Sequence, residues 1–386
     1  MSKINNAQLN HEECKKIPLV LKSKPTLIYA EISTKCNLIC RMCGRAHYKI
    51  PHSQQGFMER KIFERLLILC EPGTQVALFG RGETLLHSQF TYFLKLLNTS
   101  GAKVGFNTNG LLLTEEIARA MVENRQSHVT FSCSAGSQET YKKIHGIDEW
   151  QRLWRNISIL NDAKLKYGPA KNTQEAINAP PIIYIEFVSQ LTNISELSSL
   201  LQRAFHYNLK GLLVIDVVAH SEEIESERMN LPETQPIAKR YYEETLALYE
   251  KLVKESGRVF DLRLPDSYSS VTKKFINKHE EVAIREINDG ISGCKELDKY
   301  CFCLEPWQTF YVRFDGTVAP CVITGRRLGD LNKSTAEEIW NGEVYQKFRQ
   351  RMRGDRKPYE CLRCHLFPGP KRYDKKLDLI DQYESL

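Results

Sequence analysis

The stretch LIYAEISTKCNLICRMC, residues 27–43, joins an apolar run to a loop that carries three cysteines. LIYAEI (27–32) reads as a strand, and the amphipathic MERKIFERLLILC (58–70) beyond the loop reads as a helix. The alternation recurs. QVALF (75–79) precedes a helix within 88–97, KVGFN (103–107) one within 114–124, and HVTFSC (128–133) one within 149–164. IIYIEFV (182–188), a helix within 193–207 and LLVIDVV (212–218) complete six strands. Helices between successive apolar strands imply parallel pairing with right-handed crossovers. Six units fall short of the eight of a closed barrel, so the expected fold is α/β, a partial (β/α)6 TIM-like barrel.

Strands covered on both faces should be nearly all apolar. Glu31, Glu186 and Asp216 break that pattern, and Tyr29 and Tyr184 share a face with the first two. Helix-facing positions must be apolar, which assigns these polar groups to the lumen. There they form either a satisfied buried network or substrate contacts. Tyr184, Glu186 and Asp216 are the candidate catalytic residues, as hydrogen-bonders or a proton acceptor.

A helix over about 237–255 is followed by a polar connection to about 293. After Cys294 the texture changes to short strands, turns and cysteines. FYVRFDGTVAP (310–320) carries an Asp-Gly hairpin signal, and STAEEIWNGEVYQKFRQRM (334–352) reads as one helix opened by a capping box of Ser334 and Glu337. The expected organisation is an N-terminal extension (1–25), a barrel (26–220), a helical and irregular connection (221–293), a small cysteine-rich α+β domain (294–366) and a tail (367–386).

The chain of 386 residues is 42% apolar and 26% charged, which is a globular composition. No apolar run approaches a membrane span, and the N-terminus shows no export signal, so a reducing cytoplasm is the expected compartment. The net charge of +7 is spread thinly, and the basic content is concentrated late, in GRRLGD and FRQRMRGDRKP. Acids interrupt both segments and exposed aromatics do not interleave them, so they read as a solvated face rather than a nucleic-acid patch. Twelve cysteines in such a compartment point to metal ligation rather than disulfides, with Cys70 and Cys133 read as packing residues.

Cys36, Cys40 and Cys43 sit just past the C-terminal end of the first strand, where parallel α/β folds build active sites. Three thiolates can hold an iron–sulfur cubane with one iron open. They can also hold zinc, with His47 near enough to be a fourth ligand. The CxxxCxxC spacing resembles the signature of radical S-adenosylmethionine (SAM) enzymes. In that family the three cysteines hold a [4Fe–4S] cluster and SAM chelates the open iron.

Three further segments carry the resemblance. FGRGETLLH (79–87) is similar to the glycine-rich segment that binds the SAM amino group, with Gly80, Gly82 and Glu83 matching and Thr84 where proline is usual. NTNGLLLT (107–114) resembles the family's TNG turn, with Thr108 and Asn109. FSCSAGSQETYKKIHG (131–146) resembles the fourth-strand segment, in which Ser132 matches the ribose-contacting serine. Two positions depart from the pattern. Ser134 replaces an aspartate, and His145 stands where arginine commonly meets the SAM carboxylate, a contact histidine can replace only when protonated.

Cys303 and Cys321 flank a hairpin and Cys361 and Cys364 form a CxxC pair, so four thiolates could hold zinc or a fully ligated iron–sulfur cluster. CLEPW, DGTVAPC, LGDL, IWNG and the closing CLRC resemble the SPASM and twitch domains appended to many radical SAM enzymes. The resemblance implies one auxiliary [4Fe–4S] cluster on these four cysteines, with Cys294 or Cys301 as alternative ligands.

The family's chemistry implies a 5′-deoxyadenosyl radical that abstracts a hydrogen atom from substrate. A filled auxiliary cluster suits electron transfer, so oxidation or epimerisation of a polar metabolite of sugar or aminocyclitol type is expected. Radical modification of a ribosomally made peptide is the alternative, weakened by the short segment before the first strand. An iron–sulfur or zinc protein without SAM turnover is the reading from another class. A flavodoxin- or ferredoxin-type electron donor is the expected partner, with no membrane and no specific nucleic acid.

Overall fold

A computed structural model describes residues 5–48, 51–265, 268, 303–354, 358, 361 and 364. Among these residues one sheet runs through the molecule. Its strands are β1 (Leu27–Ala30), β2 (Gln75–Leu78), β3 (Lys103–Thr108), β4 (His128–Ser132), β5 (Ile182–Ser189), β6 (Gly211–Asp216), β7 (Asp261–Arg263), β8 (Thr309–Val312), β9 (Thr317–Ala319) and β10 (Gly329–Asp330). Their order in space is β10-β9-β8-β1-β2-β3-β4-β5-β6-β7. From β1 to β7 every neighbouring pair is parallel.

The six expected strands are all present, and helices cross between them at 60–66, 90–100, 115–123, 150–167 and 197–206. This is the open partial barrel. Its core sits between strands and helices, with Phe63, Phe93, Phe106, Phe131, Trp154 and Phe187 fully buried. Among the described residues no helix is long and apolar enough to cross a membrane.

Two corrections concern the sheet's edges. The connection read as helical and irregular also contributes β7, whose Asp261 pairs with Gly211 of β6. The C-terminal hairpin is not set apart from the barrel: β8 adds to it in parallel, with Leu27 opposite Thr309 and Ala30 opposite Val312. All four residues of β8 are buried, and the strand covers an edge that β1 would otherwise leave unpaired.

The segment 334–352 forms two helices, Ala336–Trp340 and Glu343–Arg353, rather than one. Its capping box is Thr335 with Glu338, one residue later than expected, because that register buries Ile339 and Trp340. The break also has a use. Asn341 donates to Leu21 O and accepts from Leu21 N, at 2.8 and 2.9 Å. Trp340 donates to Ser23 O, Trp307 to Pro18 O, and Arg349 to both Leu19 O and Pro306 O. The N-terminal segment, with a helix at Asn6–Lys16, is thereby fastened to the C-terminal unit.

Candidate active site

β1 ends at Ala30 and the chain then forms the cysteine loop, anchored by buried Leu38. Leu38 N donates to Cys36 Sγ at 3.4 Å, and Cys43 N to Cys40 O at 3.0 Å. Cys36, Cys40 and Cys43 line one wall of a cavity of about 340 Å³. Burial pushes the Cys40 thiol up to about 12, and the charges of Cys43 and Cys36 add to the rise.

This donor set fits a cluster better than a single ion. Zinc needs its ligands about 2.3 Å from one point, and among the described residues no three His, Cys, Asp or Glu side chains converge in that way. His47 is also engaged, with Nε2 2.6 Å from Arg41 O. A cubane takes each thiolate at a different iron, so three cysteines spaced along one loop suit it.

The segment after β2 presses against the same loop. A Cβ on Gly82 would come within 2.4 Å of Ser33 O and 2.6 Å of Lys35 O, and one on Gly80 within 2.3 Å of Glu31 Cγ. Only glycine permits that approach. Glu83 is buried, and its carboxylate accepts from Thr108 Oγ1 at 2.6 Å, Asn109 N at 2.8 Å and Leu85 N at 3.0 Å. Burial raises its pKa, and these three bonds oppose the rise. Thr108 and Asn109 thus act first as donors to Glu83. Asn109 continues the chain, donating through Nδ2 to Asn37 Oδ1 of the cysteine loop at 2.8 Å. Thr84, at the position of the usual proline, donates to Leu78 O.

Ser132, at the end of β4, lines the cavity. Ser134 does not: it is buried, its Oγ accepts from Val188 N, and its own N–H donates to His145 Nε2 at 3.3 Å. His145 lies on the cavity wall with Nδ1 3.3 Å from Cys40 Sγ. Burial pushes its pKa down to about 4. A neutral ring engaged at both nitrogens does not supply the cation that the family's arginine offers.

The three lumen candidates separate. Glu186 lines the cavity, accepts from Asn107 Nδ2 at 3.3 Å, and is pushed up to about 7 by burial. Asp216 also lines the cavity, although it has the strand parity of buried Leu212 and Val214, and its charge is felt by Tyr242. Tyr184 donates to Asp261 Oδ2 at 2.9 Å and is not among the cavity's lining residues.

Arg81 and Arg45 also line the cavity and were missed in the sequence, although Arg81 stands between the two matched glycines. The Arg81 guanidinium is 3.1 Å from the fully buried Glu31. Phe79 of the cavity wall meets Tyr29 at 6.1 Å, and Tyr29 meets Tyr311 of β8 at 6.4 Å, both between ring centroids. Burial raises Tyr29, and the charges of Glu305 and Cys321 add to the rise.

Cys303, Cys321, Cys361 and Cys364 are half-buried and lie close together: Cys303 feels the charges of Cys321 and Cys361, and Cys321 that of Cys364. Four thiols fit a fully ligated cluster. Cys294 and Cys301 lie outside the described residues. Cys133 is buried against Ala135 O, as a packing residue would be.

Comparison with known proteins agrees with this geometry. Residues 30–173 match the radical SAM superfamily, and residues 301–365 match SPASM, an iron–sulfur cluster-binding domain. The chain is 25% identical over 199 residues to the tungsten-containing aldehyde ferredoxin oxidoreductase cofactor-modifying protein of Pyrococcus furiosus, covering 51% of this chain and 52% of that protein. The match therefore spans about half the length of that relative. It is 22% identical over 339 residues to the AdoMet-dependent heme synthase of Methanosarcina barkeri, covering 86% of each. In fold it is similar to Streptococcus suis SuiB bound to S-adenosylmethionine (TM-score 0.59, 13% identity, 89% of this chain and 70% of that one). It is also similar to anSMEcpe with bound AdoMet (TM-score 0.58, 17% identity, 84% and 83%). The chain belongs to the radical SAM superfamily, with a C-terminal SPASM domain, and is an enzyme whose cofactors are a [4Fe–4S] cluster, SAM and auxiliary iron–sulfur binding.

Proposed function

We propose that this radical SAM enzyme oxidises or epimerises a polar substrate of sugar or aminocyclitol type. When bound, the first cluster and SAM supply a radical that takes a hydrogen atom from an unactivated carbon, and the auxiliary cluster supplies an electron carrier. Cys36, Cys40 and Cys43 hold the first cluster, and Cys303, Cys321, Cys361 and Cys364 hold the second. Gly80, Gly82 and Glu83, with Thr108, Asn109 and Ser132, form the bed for SAM. Glu186 is the proton acceptor, because its pKa of about 7 lets it change state near neutral pH.

The observation that carries this reading is the contact between the two halves. Phe79 on the cavity wall packs on Tyr29, and Tyr29 in turn packs on Tyr311 of β8 and feels the charge of Cys321. An electron carrier in the unit that packs against this wall suits a reaction that must dispose of an electron, hence net oxidation. A flavodoxin- or ferredoxin-type protein is the proposed source of the reducing electron.

The test is anaerobic. Reconstituted enzyme is incubated with SAM, dithionite and a panel of aminocyclitols and short peptides, and 5′-deoxyadenosine and products are read by mass spectrometry. Loss of two hydrogens, or deuterium uptake from solvent at unchanged composition, supports the reading. Turnover of peptides alone would move the substrate to the alternative class, and a product that has only gained a methyl group overturns the reading. In Cys321→Ala, iron should fall from about eight to about four per chain, with 5′-deoxyadenosine still formed.

A further inference from the structure

Two of the departures from the family pattern, Ser134 and His145, meet in the structure. Ser134 N donates to His145 Nε2 at 3.3 Å, and His145 Nδ1 lies 3.3 Å from Cys40 Sγ. The backbone bond decides the tautomer. A nitrogen that accepts from an N–H carries no proton, so the ring proton of the neutral imidazole is on Nδ1 and points at the sulfur. The ring has no room to turn. It is buried, packs at 4.4 Å and a tilt of 34° against buried Tyr141, and closes the helix Gln138–His145 just before Gly146 in the left-handed region. The same helix end is tied to the cysteine loop, since Arg41 N donates to Ile144 O at 2.9 Å.

We infer that His145 is a positioning residue that donates a fixed N–H···S hydrogen bond to Cys40 and so raises the reduction potential of the first cluster. The inference rests on the reading of Cys40 as a cluster ligand. Reduction adds negative charge that spreads onto the ligand sulfurs, and a donor aimed at one of them stabilises the reduced form more than the oxidised form. An arginine at this position would direct its charge to a ligand. The buried histidine instead acts on the cluster through its thiolate. Among the described residues Cys36 has a backbone donor, Leu38 N, and the hydrogen bond from His145 is the side-chain counterpart on Cys40.

The test compares wild type, His145→Phe and His145→Asn, each reconstituted anaerobically without SAM. Iron is counted and the first cluster is titrated against potential, with its EPR signal identified by its loss in Cys36→Ala. His145→Phe keeps the ring contact with Tyr141 and loses the donor. The inference expects unchanged iron and a midpoint lowered by at least tenfold in the reduction equilibrium, about 59 mV for one electron. His145→Asn retains an amide N–H near the Nδ1 position and should fall closer to wild type. A loaded His145→Phe with the wild-type midpoint overturns the inference, as does an equal shift in both variants.

If His145→Phe does not hold iron, wild-type protein labelled with 15N at histidine decides. A 15N hyperfine coupling in the reduced cluster's pulsed EPR spectrum, lost in His145→Asn, supports the bond, and absence of any coupling refutes it. Failure of the underlying reading is distinguishable, because Cys40→Ala would then leave the first cluster's iron and signal intact.

Discussion

Replacing Glu186 by glutamine should change how stability depends on pH. An ordinary glutamate titrates at 4.5, and burial in the cavity wall pushes Glu186 to about 7. The folded state therefore binds a proton more tightly than the unfolded chain. Its contribution is fully present below the unfolded value and is lost as pH rises through the folded one. At roughly 1.4 kcal/mol per tenfold, the gap amounts to roughly 3 kcal/mol of stability lost between about pH 4.5 and just above 7. Glu186→Gln keeps the shape and the hydrogen bond from Asn107 but cannot ionise. Urea unfolding of both proteins without cofactors, at intervals from pH 5 to 8.5, should show the wild type losing stability relative to the variant as pH rises. Curves that stay parallel would refute the argument, and with it the assignment of Glu186 as a group that changes protonation near neutrality.

Two further outcomes follow from the SAM bed. Glu83→Ala leaves the Asn109 and Leu85 N–H groups buried without an acceptor, so urea unfolding without cofactors should show a loss of about 2–6 kcal/mol, at 1–3 for each group. A glutamate that served only to meet SAM would show no such loss. Gly82→Ala brings a Cβ within 2.4 Å of Ser33 O, which forces the cysteine loop back by about 1 Å. 5′-Deoxyadenosine formation per loaded cluster should then fall by about 100-fold.

The sequence disclosed what is repeated and what is chemically rare. Parallel strands buried on both faces must be apolar, so β1 to β6 stand out as runs of Ile, Leu, Val and Phe. Thiolates at metal-binding spacing are hard to explain otherwise. What stayed hidden depends on distant partners. β7 is three residues with two charges, and it is a strand because β6 offers it a ladder. The Asp-Gly turn announces a hairpin without saying that its first strand will pair with β1 from the other end of the chain. Parity along LLVIDVV could not tell lumen from helix layer, since both of its faces are apolar. Thr108 and Asn109 looked like cofactor contacts because the motif is named for its ligand, while their side chain and backbone first serve to hold Glu83.

The engagement of His145 leaves open which residue meets the carboxylate of SAM, and the cavity narrows the choice. Its arginines are Arg45 and Arg81. Arg81 is occupied: its backbone N–H, Nε and Nη2 all turn to Glu31, which is fully buried and depends on that cation. Removing the cation would leave a buried unpaired carboxylate, so this pair is structural. Arg45 is placed differently. It follows Cys43 by two residues, acts electrostatically on Cys36, and spends Nη1 on the carbonyl of Thr34 while Nε has no hydrogen-bond partner among the described residues. A guanidinium with unspent donors beside the cluster loop suits a bidentate carboxylate contact. Arg45→Met should therefore weaken SAM binding at least tenfold in equilibrium dialysis with reconstituted enzyme, at unchanged iron. Arg81→Met should lower the urea midpoint and leave SAM affinity within threefold wherever the protein remains folded. The reverse ranking in SAM affinity would move the carboxylate contact to Arg81 and make Glu31 its orienting partner.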